Sequence, residues 1–427
     1  MVIRWLDGNS AGTDGTESNI SNMPPQKSLQ AFLATARAAL TAPQSKRQTP
    51  LHFVVGNESA DLDSLCSTLF LAYFRSNTPP HTLHIPLCHL PRNDLTLRPE
   101  FAAVLGYAGA TTDDVVTLSE MPSLPPEDTR WLLVDHNVMT GTLGQAYGDR
   151  VFGCIDHHDD ERKLPSDADP RVVEKCGSCM SLVVEYCRDA WDALARHEGS
   201  KRTNAQLGYL ALAPVLIDTN NLRNKAKTTP RDERVVSIAE ARVLASPDSG
   251  YGDGDGYERV TFFEKVAALK EDISFMSPRD ILRKDYKEWN VGATENLKLG
   301  TSSAPRDFKF LAHKAGGEEA LARSLEEWGQ EKGIDVLAVL TASKDHGGFR
   351  RELLVWARTG PGVVSALKEW VEGEGREKLG LDTWEHGKLD VEDGEKSWRR
   401  CWTQARIENS RKQIAPMLRD ALKTAKA

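Results

Sequence analysis

The residues best suited to chemistry in this sequence are carboxylates and histidines that follow apolar runs. Apolar residues 51–55 precede two aspartates, residues 131–134 precede a third, residues 213–217 precede a fourth, and residues 154–156 lead into two adjacent histidines. The six side chains are Asp61, Asp63, Asp135, Asp218, His157 and His158. Carboxylate oxygens and imidazole nitrogens are common ligands of divalent cations. The pattern therefore predicts a metal centre.

The elements that would bring these residues together are β-strands. Each of the four apolar runs ends in a residue of metal-ligand type, and we predict that each run is a strand. Between residues 51 and 245, apolar runs alternate with amphipathic segments such as 64–74 and 179–194. This alternation predicts an α/β fold with a mainly parallel sheet and helices on both faces. The carboxyl ends of parallel strands meet at one edge of a sheet, where they can share a site.

The chain has 427 residues, which is long for one core and favours two domains. We predict a flexible leader at 1–26, a first domain at 27–276 with a surface loop at 246–256, and a second domain at 277–427. Pro278 supports that boundary because a proline disfavours a helical residue before it. Strands at 336–340 and 352–357 and a terminal helix from about Glu408 predict a smaller α/β second domain.

Composition limits the class of protein. The chain is 40% hydrophobic and 27% charged, with a net charge of −8, which is typical of soluble proteins and argues against a general nucleic-acid binder. No apolar run approaches the roughly 20 residues that a membrane helix needs. The polar, partly acidic amino terminus argues against a targeting peptide, and the seven cysteines are mostly in apolar runs. We expect a cytoplasmic monomer with reduced cysteines and no membrane or nucleic-acid partner.

The predicted roles follow from charge and position. Asp135 is the candidate to bridge two metal ions, since a carboxylate commonly does so in two-metal sites. His157 can bind a metal while His158 faces a substrate, and Asp156 would orient a histidine or act as a weak ligand. The four aspartates repel one another, and two divalent cations would offset their charge. Helix capping is the alternative role for each aspartate.

Groups that could bind an anionic substrate occur at two helix starts. Gly177 and Ser178 could present amides and a hydroxyl to phosphate. Arg411 and Lys412 lie at the start of the predicted terminal helix, where the helix dipole makes positive charges unfavourable. Contact with a substrate phosphate would explain their presence there. Lys284, Arg350 and Arg351 could extend a cationic track for a long anion, although a solvated basic surface is an equal alternative. The Cys176 to Cys179 spacing alone is weak support for a zinc site.

With these residues in place, the chain resembles the DHH phosphoesterase family, and within it the fungal-type exopolyphosphatases, with prune proteins and family II inorganic pyrophosphatases as relatives. The likeness runs from about residue 50 to the end of the chain. Seven ordered motifs carry it: GNESADLDS (56–64), VD (134–135), IDHH (155–158), GSC (177–179), LIDT (216–219), DILRKDYK (280–287) and SRKQ (410–413).

The resemblance implies specific roles for individual residues. Asp61 and Asp135 would bind one metal, and the second would be bound by Asp63, Asp135, His157 and Asp218. Four residues would face substrate phosphates: His158, Lys225, Arg411 and Lys412. The carboxy-terminal segment would be a DHHA2 domain that closes over a cleft. Asn57 is a possible ligand where family II pyrophosphatases have a histidine, which favours Mg²⁺ in that site and counts against a dedicated pyrophosphatase.

The leading hypothesis is an exopolyphosphatase that uses two divalent ions, Mg²⁺ or Mn²⁺, to activate the water that releases terminal orthophosphate from polyphosphate. A prune-like or pyrophosphatase-like hydrolase of short polyphosphates, nucleoside polyphosphates or cyclic nucleotides is the enzymatic alternative. A polyphosphate sensor without catalysis is a third hypothesis, which the presence of all four aspartates and both histidines disfavours.

Overall fold

A computed structural model of the protein describes residues 27–197, 199–246, 256–294, 296–345, 348–358, 360–393 and 397–425. The predicted leader and the predicted surface loop, apart from Ser246 and Gly256, lie outside the described residues.

The strands of the described residues form two sheets. They are β1 (Leu51–Val55), β2 (His84–Cys88), β3 (Val116–Thr117), β4 (Thr129–Val134), β5 (Val151–Asp156), β6 (Arg171–Val173), β7 (Tyr286–Val291), β8 (Leu297–Ala304), β9 (Val336–Asp345), β10 (Gly348–Ala357), β11 (Leu381–Thr383), β12 (Val391–Asp393) and β13 (Ser397–Gln404).

Helices connect and cover these sheets. The α-helices are α1 (Leu29–Thr41), α2 (Leu62–Asn77), α3 (Pro99–Tyr107), α4 (Gly141–Tyr147), α5 (Cys179–Tyr186), α6 (Arg188–Ala195), α7 (Lys201–Asp218), α8 (Pro230–Leu244), α9 (Arg259–Glu271), α10 (Pro278–Lys284), α11 (Phe308–Ala315), α12 (Glu318–Lys332), α13 (Pro361–Trp370), α14 (Arg376–Leu379) and α15 (Arg411–Leu422). Short 3-10 or π turns lie at Gln44–Lys46, Arg92–Leu97, Leu118–Glu120, Pro126–Asp128, Gly148–Arg150, Val371–Gly375 and Trp384–Gly387. Among the described residues, none of the helices is both long enough and apolar enough to cross a bilayer.

The first sheet has the order β3-β2-β1-β4-β5-β6, and all its strands are parallel. Successive side chains of a strand point to opposite faces, so β1 contributes to two cores. Val54 packs with α2, α5 and α7, whereas Phe53 and Val55 pack with α4 and the end of α1. The parallel sheet with helices on both faces confirms the predicted fold class.

The prediction of a strand at residues 213–217 is wrong. These residues belong to α7, which is buried on nearly all sides, and Asp218 is its last residue. A buried helix is apolar around its whole circumference, so a short apolar run does not distinguish it from a buried strand. The segment predicted as one helix at 179–194 forms two, α5 and α6, which meet at Cys187.

The second sheet has the order β11-β13-β10-β9-β8-β7, with β12 paired to β13. Only β8 and β9 run parallel among the described pairs, so the sheet is mixed. Helices α11 and α12 pack on one face, and α13 and α15 pack on the other. The strands predicted at 336–340 and 352–357 are confirmed as parts of β9 and β10, and the terminal helix begins at Arg411.

The two sheets are joined through the segment that precedes α3. Leu97 packs in the core that contains Ile281 and Leu282 of α10. Asp94 forms an ion pair with Arg283, with 3.0 Å between Asp94 Oδ1 and Arg283 Nη1. These contacts fasten α10, the helix that precedes β7, to the first part of the chain. The predicted domain boundaries remain a prediction.

Candidate active site

The site lies where the strand order of the first sheet reverses, between β1 and β4. In open α/β sheets, ligands bind outside the carboxyl ends of the strands at such a point. Asp135 follows β4 directly, is 2% exposed and has φ of 61°. A left-handed conformation is strained for a residue other than glycine, and such strain is concentrated at functional sites.

The two carboxylate oxygens of Asp135 have different surroundings. Oδ2 accepts hydrogen bonds from Ser64 Oγ at 2.6 Å and from Asn57 Nδ2 at 2.8 Å. Oδ1 lies 3.3 Å from His157 Nε2 and 3.6 Å from His158 Nδ1. Ligand atoms of Asp135, His157 and His158 all lie within 4.8 Å of one another, which makes this a candidate metal site within the part of the chain that the structure describes.

Asp61 and Asp63 both cap helices. Asp61 is the N-cap of α2, and its Oδ1 accepts from the backbone N–H of Ser64 at 3.0 Å. Asp63 is 3% exposed and accepts from the first amides of α5, those of Cys179 at 2.6 Å and Met180 at 2.9 Å. Both residues therefore cap helices, as the alternative role predicts, but their carboxylates still have acceptor positions that could bind a metal. An ionised carboxylate has about four acceptor positions.

The charges of the cluster strongly perturb one another. Burial raises the pKa of Asp61 and of Asp63, and the nearby carboxylates of Asp135 and Asp218 raise both values further. Burial alone would also raise the pKa of Asp135, but the hydrogen bond with His157 and the positive charge of His158 lower it below its usual range. Against the effect of burial, hydrogen bonds to Asp135 and to the Cys176 carbonyl raise the pKa of His157 to about 11.

These observations fit divalent cations. Asp135 Oδ1 is buried and, among the described residues, faces only the imidazoles of His157 and His158, at 3.3 and 3.6 Å, so a cation could bind between this oxygen and the histidine nitrogens. Mutual repulsion raises the pKa of these carboxylates because it destabilises their ionised form. A bound cation stabilises that ionised form and displaces the protons. The amide oxygen of Asn57 accepts from Ser59 N at 3.0 Å and Ser59 Oγ at 2.6 Å, so Asn57 supports the Asp135 carboxylate with its nitrogen.

Asp156 holds His158 in place. Its Oδ1 accepts from His158 Nδ1 at 2.8 Å and from the His158 backbone N–H at 3.2 Å. Its Oδ2 accepts from Asn137 Nδ2 at 2.6 Å. The His158 side chain is 27% exposed, so Nε2 is free to face a substrate while Nδ1 is fixed. Asp156 thus has the geometry of the orienting acceptor that the sequence predicts.

Helix α15, which packs on the second sheet, contributes cations near the same site. Lys412, in the first turn of α15, places Nζ 3.3 Å from His157 Nε2. Arg411 donates to the Asp285 carbonyl at 2.9 Å and pairs with the Asp285 carboxylate at 2.8 Å. The contact of Lys412 with His157 brings α15 next to the end of β5, although the two residues are 255 positions apart in the chain.

Other predicted substrate residues lie in different surroundings. Lys284 is 8% exposed, and its Nζ lies 3.5 Å from Glu100 of α3. Ser178 is fully buried, and the amides at the start of α5 are occupied by Asp63. Lys225 is exposed, and Arg351 donates to the Ile407 carbonyl at 2.8 Å.

Two lysines near the acidic cluster were missed by sequence reasoning. Burial and Arg411 lower the pKa of Lys287, while Asp135 and Asp61 oppose that shift. Asp218 and Asp61 raise the pKa of Lys270 against the effect of burial. Lys287 lies within the DILRKDYK motif and could have been found there.

Family models match both parts of the chain. Residues 52–213 match the DHH family, N-terminal domain, and residues 264–421 match the DHHA2 domain.

Full-length relatives support the same grouping. A Schizosaccharomyces pombe protein, provisionally named an exopolyphosphatase, is 30% identical over 379 residues, which are 87% of this chain and 91% of that protein. Exopolyphosphatase PRUNE1 of Mus musculus is 29% identical over 319 residues, 73% of this chain and 63% of the mouse protein. A manganese-dependent inorganic pyrophosphatase of Methanocaldococcus jannaschii is 20% identical over 293 residues, 68% of this chain and 82% of that protein.

A solved structure shares the fold. The crystal structure of a provisionally assigned family II inorganic pyrophosphatase from Methanococcus jannaschii superposes with a TM-score of 0.55 at 20% identity. The match covers 87% of this chain and 99% of that one, so it includes both sheets.

Proposed function

The chain belongs to the DHH phosphoesterase family and carries a DHHA2 domain, and from this premise we propose that it is an exopolyphosphatase that releases terminal orthophosphate from linear polyphosphate. The observation that carries the proposal is the convergence of Asp135, His157 and His158 with Lys412 from helix α15 of the second domain. The names of the yeast and mouse relatives support the substrate class.

The proposed ligands belong to two divalent ions, Mg²⁺ or Mn²⁺. Asp61 and Asp135 would hold one, and Asp63, Asp135, His157 and Asp218 would hold the other. When bound, such ions lower the pKa of a water molecule and neutralise charge on the phosphoryl group. The two hydrogen bonds to Asp135 Oδ2 fix the carboxylate and leave Oδ1 turned toward the histidines. The name of the manganese-dependent relative supports a divalent ion.

His158 and three cations of the second domain would act on the substrate. The cations are Lys412 and Arg411 of α15 and Lys287 of β7. Because Asp156 fixes Nδ1, His158 can present Nε2 to an oxygen of the terminal phosphoryl group. Lys412, Arg411 and Lys287 would stabilise charge on the phosphoryl oxygens and on the departing polyphosphate. A phosphate-anhydride leaving group needs little protonation, so a separate general acid is unnecessary.

Asp135→Ala tests the proposal. The variant should release no phosphate from polyphosphate while its circular dichroism spectrum stays native. Asp160→Ala is the matched control, because Asp160 follows His158 by two residues in the same loop but pairs with Arg171 on the surface at 2.8 Å. Retained activity in Asp135→Ala would refute the assignment, and lost activity in both variants would point to damage of the loop instead.

A nucleoside polyphosphate is the second candidate substrate. Phe349 is 43% exposed, and the Arg351 guanidinium lies 5.0 Å from the centre of its ring. Such a ring can stack on a nucleobase. Rates with polyphosphate, tripolyphosphate, pyrophosphate, adenosine tetraphosphate and cyclic AMP would separate the candidates, and Phe349→Ala should affect only the nucleotides.

We also propose that the enzyme acts as a monomer in the cytoplasm. All seven cysteines lie among the described residues and are free thiols, which fits a reducing compartment.

A further inference from the structure

Arg98 donates hydrogen bonds to two backbone segments, the loop before α2 and the end of α10. It is the residue before α3 and is 5% exposed. Its Nε donates to the Ala60 carbonyl at 2.9 Å, and its Nη2 donates to the Ser59 carbonyl at 2.6 Å. Nη2 also donates to the carbonyl of Lys284, the last residue of α10. One buried guanidinium therefore joins the loop that follows β1 to the helix that precedes β7.

The first two carbonyls belong to the loop that presents a proposed metal ligand. Ser59 and Ala60 immediately precede Asp61, and Ala60 has φ of 43°. A left-handed alanine is held only where its surroundings fix it. The hydrogen bonds from Arg98 supply part of that fixation, so the position of Asp61 depends on them.

The third carbonyl belongs to the segment that presents a proposed phosphate ligand. Lys284 ends α10, where unpaired carbonyls attract a cation. Asp285 follows and is held by Arg411, and Lys287 lies two residues further, near Asp61 and Asp135. Arg98 thus sets the distance between the Asp61 loop and the strand that bears Lys287.

We propose that Arg98 is a positioning residue that couples the metal-binding conformation of loop 56–61 to the docking of the second domain. The inference rests on the proposed function only for the identity of the metal ligands. When the loop is ordered by a cation, its carbonyls hold Arg98 in the geometry that receives α10. By reciprocity, docking of α10 favours the loop conformation that binds the cation.

Two neighbouring arginine contacts serve as matched controls. Arg92 also makes three side-chain hydrogen bonds, to Glu120, Thr112 and Val115, but all lie within the first domain. The pair of Asp94 with Arg283 joins the two parts of the chain without touching the loop. Arg92→Lys therefore tests loss of a guanidinium that donates to backbone carbonyls within one domain, and Asp94→Asn tests loss of an ion pair between the two parts of the chain.

Hydrogen exchange with mass spectrometry on the full-length protein, with and without Mn²⁺, measures the coupling directly. In the wild type, Mn²⁺ should slow exchange at least fivefold in both loop 56–61 and segment 278–287, since coupled sites typically differ by about 5- to 150-fold. In Arg98→Lys, segment 278–287 should change by less than about twofold, and calorimetry should show Mn²⁺ binding weakened by about tenfold. Arg92→Lys and Asp94→Asn should respond as the wild type does.

Arg98→Ala with added guanidinium gives a second measurement. Millimolar guanidinium should restore the Mn²⁺ response of segment 278–287, because the free cation can occupy the same three carbonyls. The proposal is overturned if Arg98→Lys retains the wild-type response, if Asp94→Asn loses it to the same extent, or if the wild type shows none. A wild type that responds to Mn²⁺ but does not hydrolyse polyphosphate would refute the proposed function and leave the coupling intact.

Discussion

Asp156→Asn tests how His158 is positioned. In the native site, Asp156 Oδ1 accepts from His158 Nδ1 at 2.8 Å, while Oδ2 accepts from Asn137 Nδ2 at 2.6 Å. An asparagine has one acceptor oxygen for these two donors. If the oxygen stays with Asn137, the new NH₂ group faces His158 Nδ1, which must then be unprotonated. His158 would lose the doubly protonated form that brings both positive charge and an Nε2–H donor to the phosphoryl oxygens.

The size of the effect follows from the bond that is lost. A hydrogen bond to a charged group contributes about 1.5–3 kcal/mol, and about 1.4 kcal/mol corresponds to a factor of ten in rate. We therefore expect kcat for polyphosphate to fall by about 10- to 150-fold. KM should stay within about twofold, because Asp156 is buried and does not face the phosphates.

Steady-state phosphate release from polyphosphate, with bound metal quantified in parallel, is the assay. The exchange variant that combines Asn137→Asp with Asp156→Asn should recover part of the lost rate, because the carboxylate introduced at position 137 would accept from the new amide and leave the amide oxygen for His158. Asp160→Asn should change kcat by less than about twofold, since an exposed ion pair contributes little. A natively folded Asp156→Asn with wild-type kcat would refute the role given to Asp156.

Three further predictions concern acid stability, substrate affinity and metal-linked stability. Burial lowers the pKa of His84 to about 3. Below the unfolded pKa of 6.5, the unfolded chain takes up a proton that the folded protein does not, so the free energy of unfolding decreases as the pH falls from 6.5 toward 3. By pH 5 the loss is about 2 kcal/mol, and urea unfolding of His84→Leu should show a correspondingly smaller difference between pH 7.5 and pH 5; equal differences would contradict this. Lys412→Gln should raise KM for polyphosphate about tenfold or more, because a cation 3.3 Å from His157 is removed from the phosphate side of the cleft; an unchanged KM and salt dependence would exclude that contact. Mn²⁺ at about 100 times its Kd should stabilise the wild type by about 2.7 kcal/mol in thermal unfolding, an increment that chelation removes and that Asp135→Asn should lack; equal stabilisation of both proteins would place the metal elsewhere.

The sequence predicts the central strands well because their residues are apolar and end in polar residues. β1, β4 and β5 lie where the apolar runs indicate. Residues 213–217 were mistaken for a strand because α7 is enclosed by protein, so its sequence lacks the polar face that identifies a surface helix. Its last residue, Asp218, is still near the cluster, since it affects the pKa of Asp61 and Asp63.

The acidic part of the site was easier to predict than the cationic part. Adjacent histidines and closely spaced aspartates have few structural roles in apolar surroundings, so their types and spacing carry information. Lysines and arginines are common on surfaces, and only tertiary placement separates Lys287 near Asp135 from the exposed Lys225. The same holds for Arg98, whose partners are backbone carbonyls that leave no trace in the sequence.

A crystal grown with Mn²⁺ and measured at the manganese absorption edge tests the central claim most directly. The predicted anomalous difference map contains two peaks roughly 3.5–4 Å apart on either side of the Asp135 carboxylate. Their ligands should come from Asp61, Asp63, His157 and Asp218. A map without a peak at Asp135, or with manganese only at unrelated surface carboxylates, would contradict the proposed two-metal site.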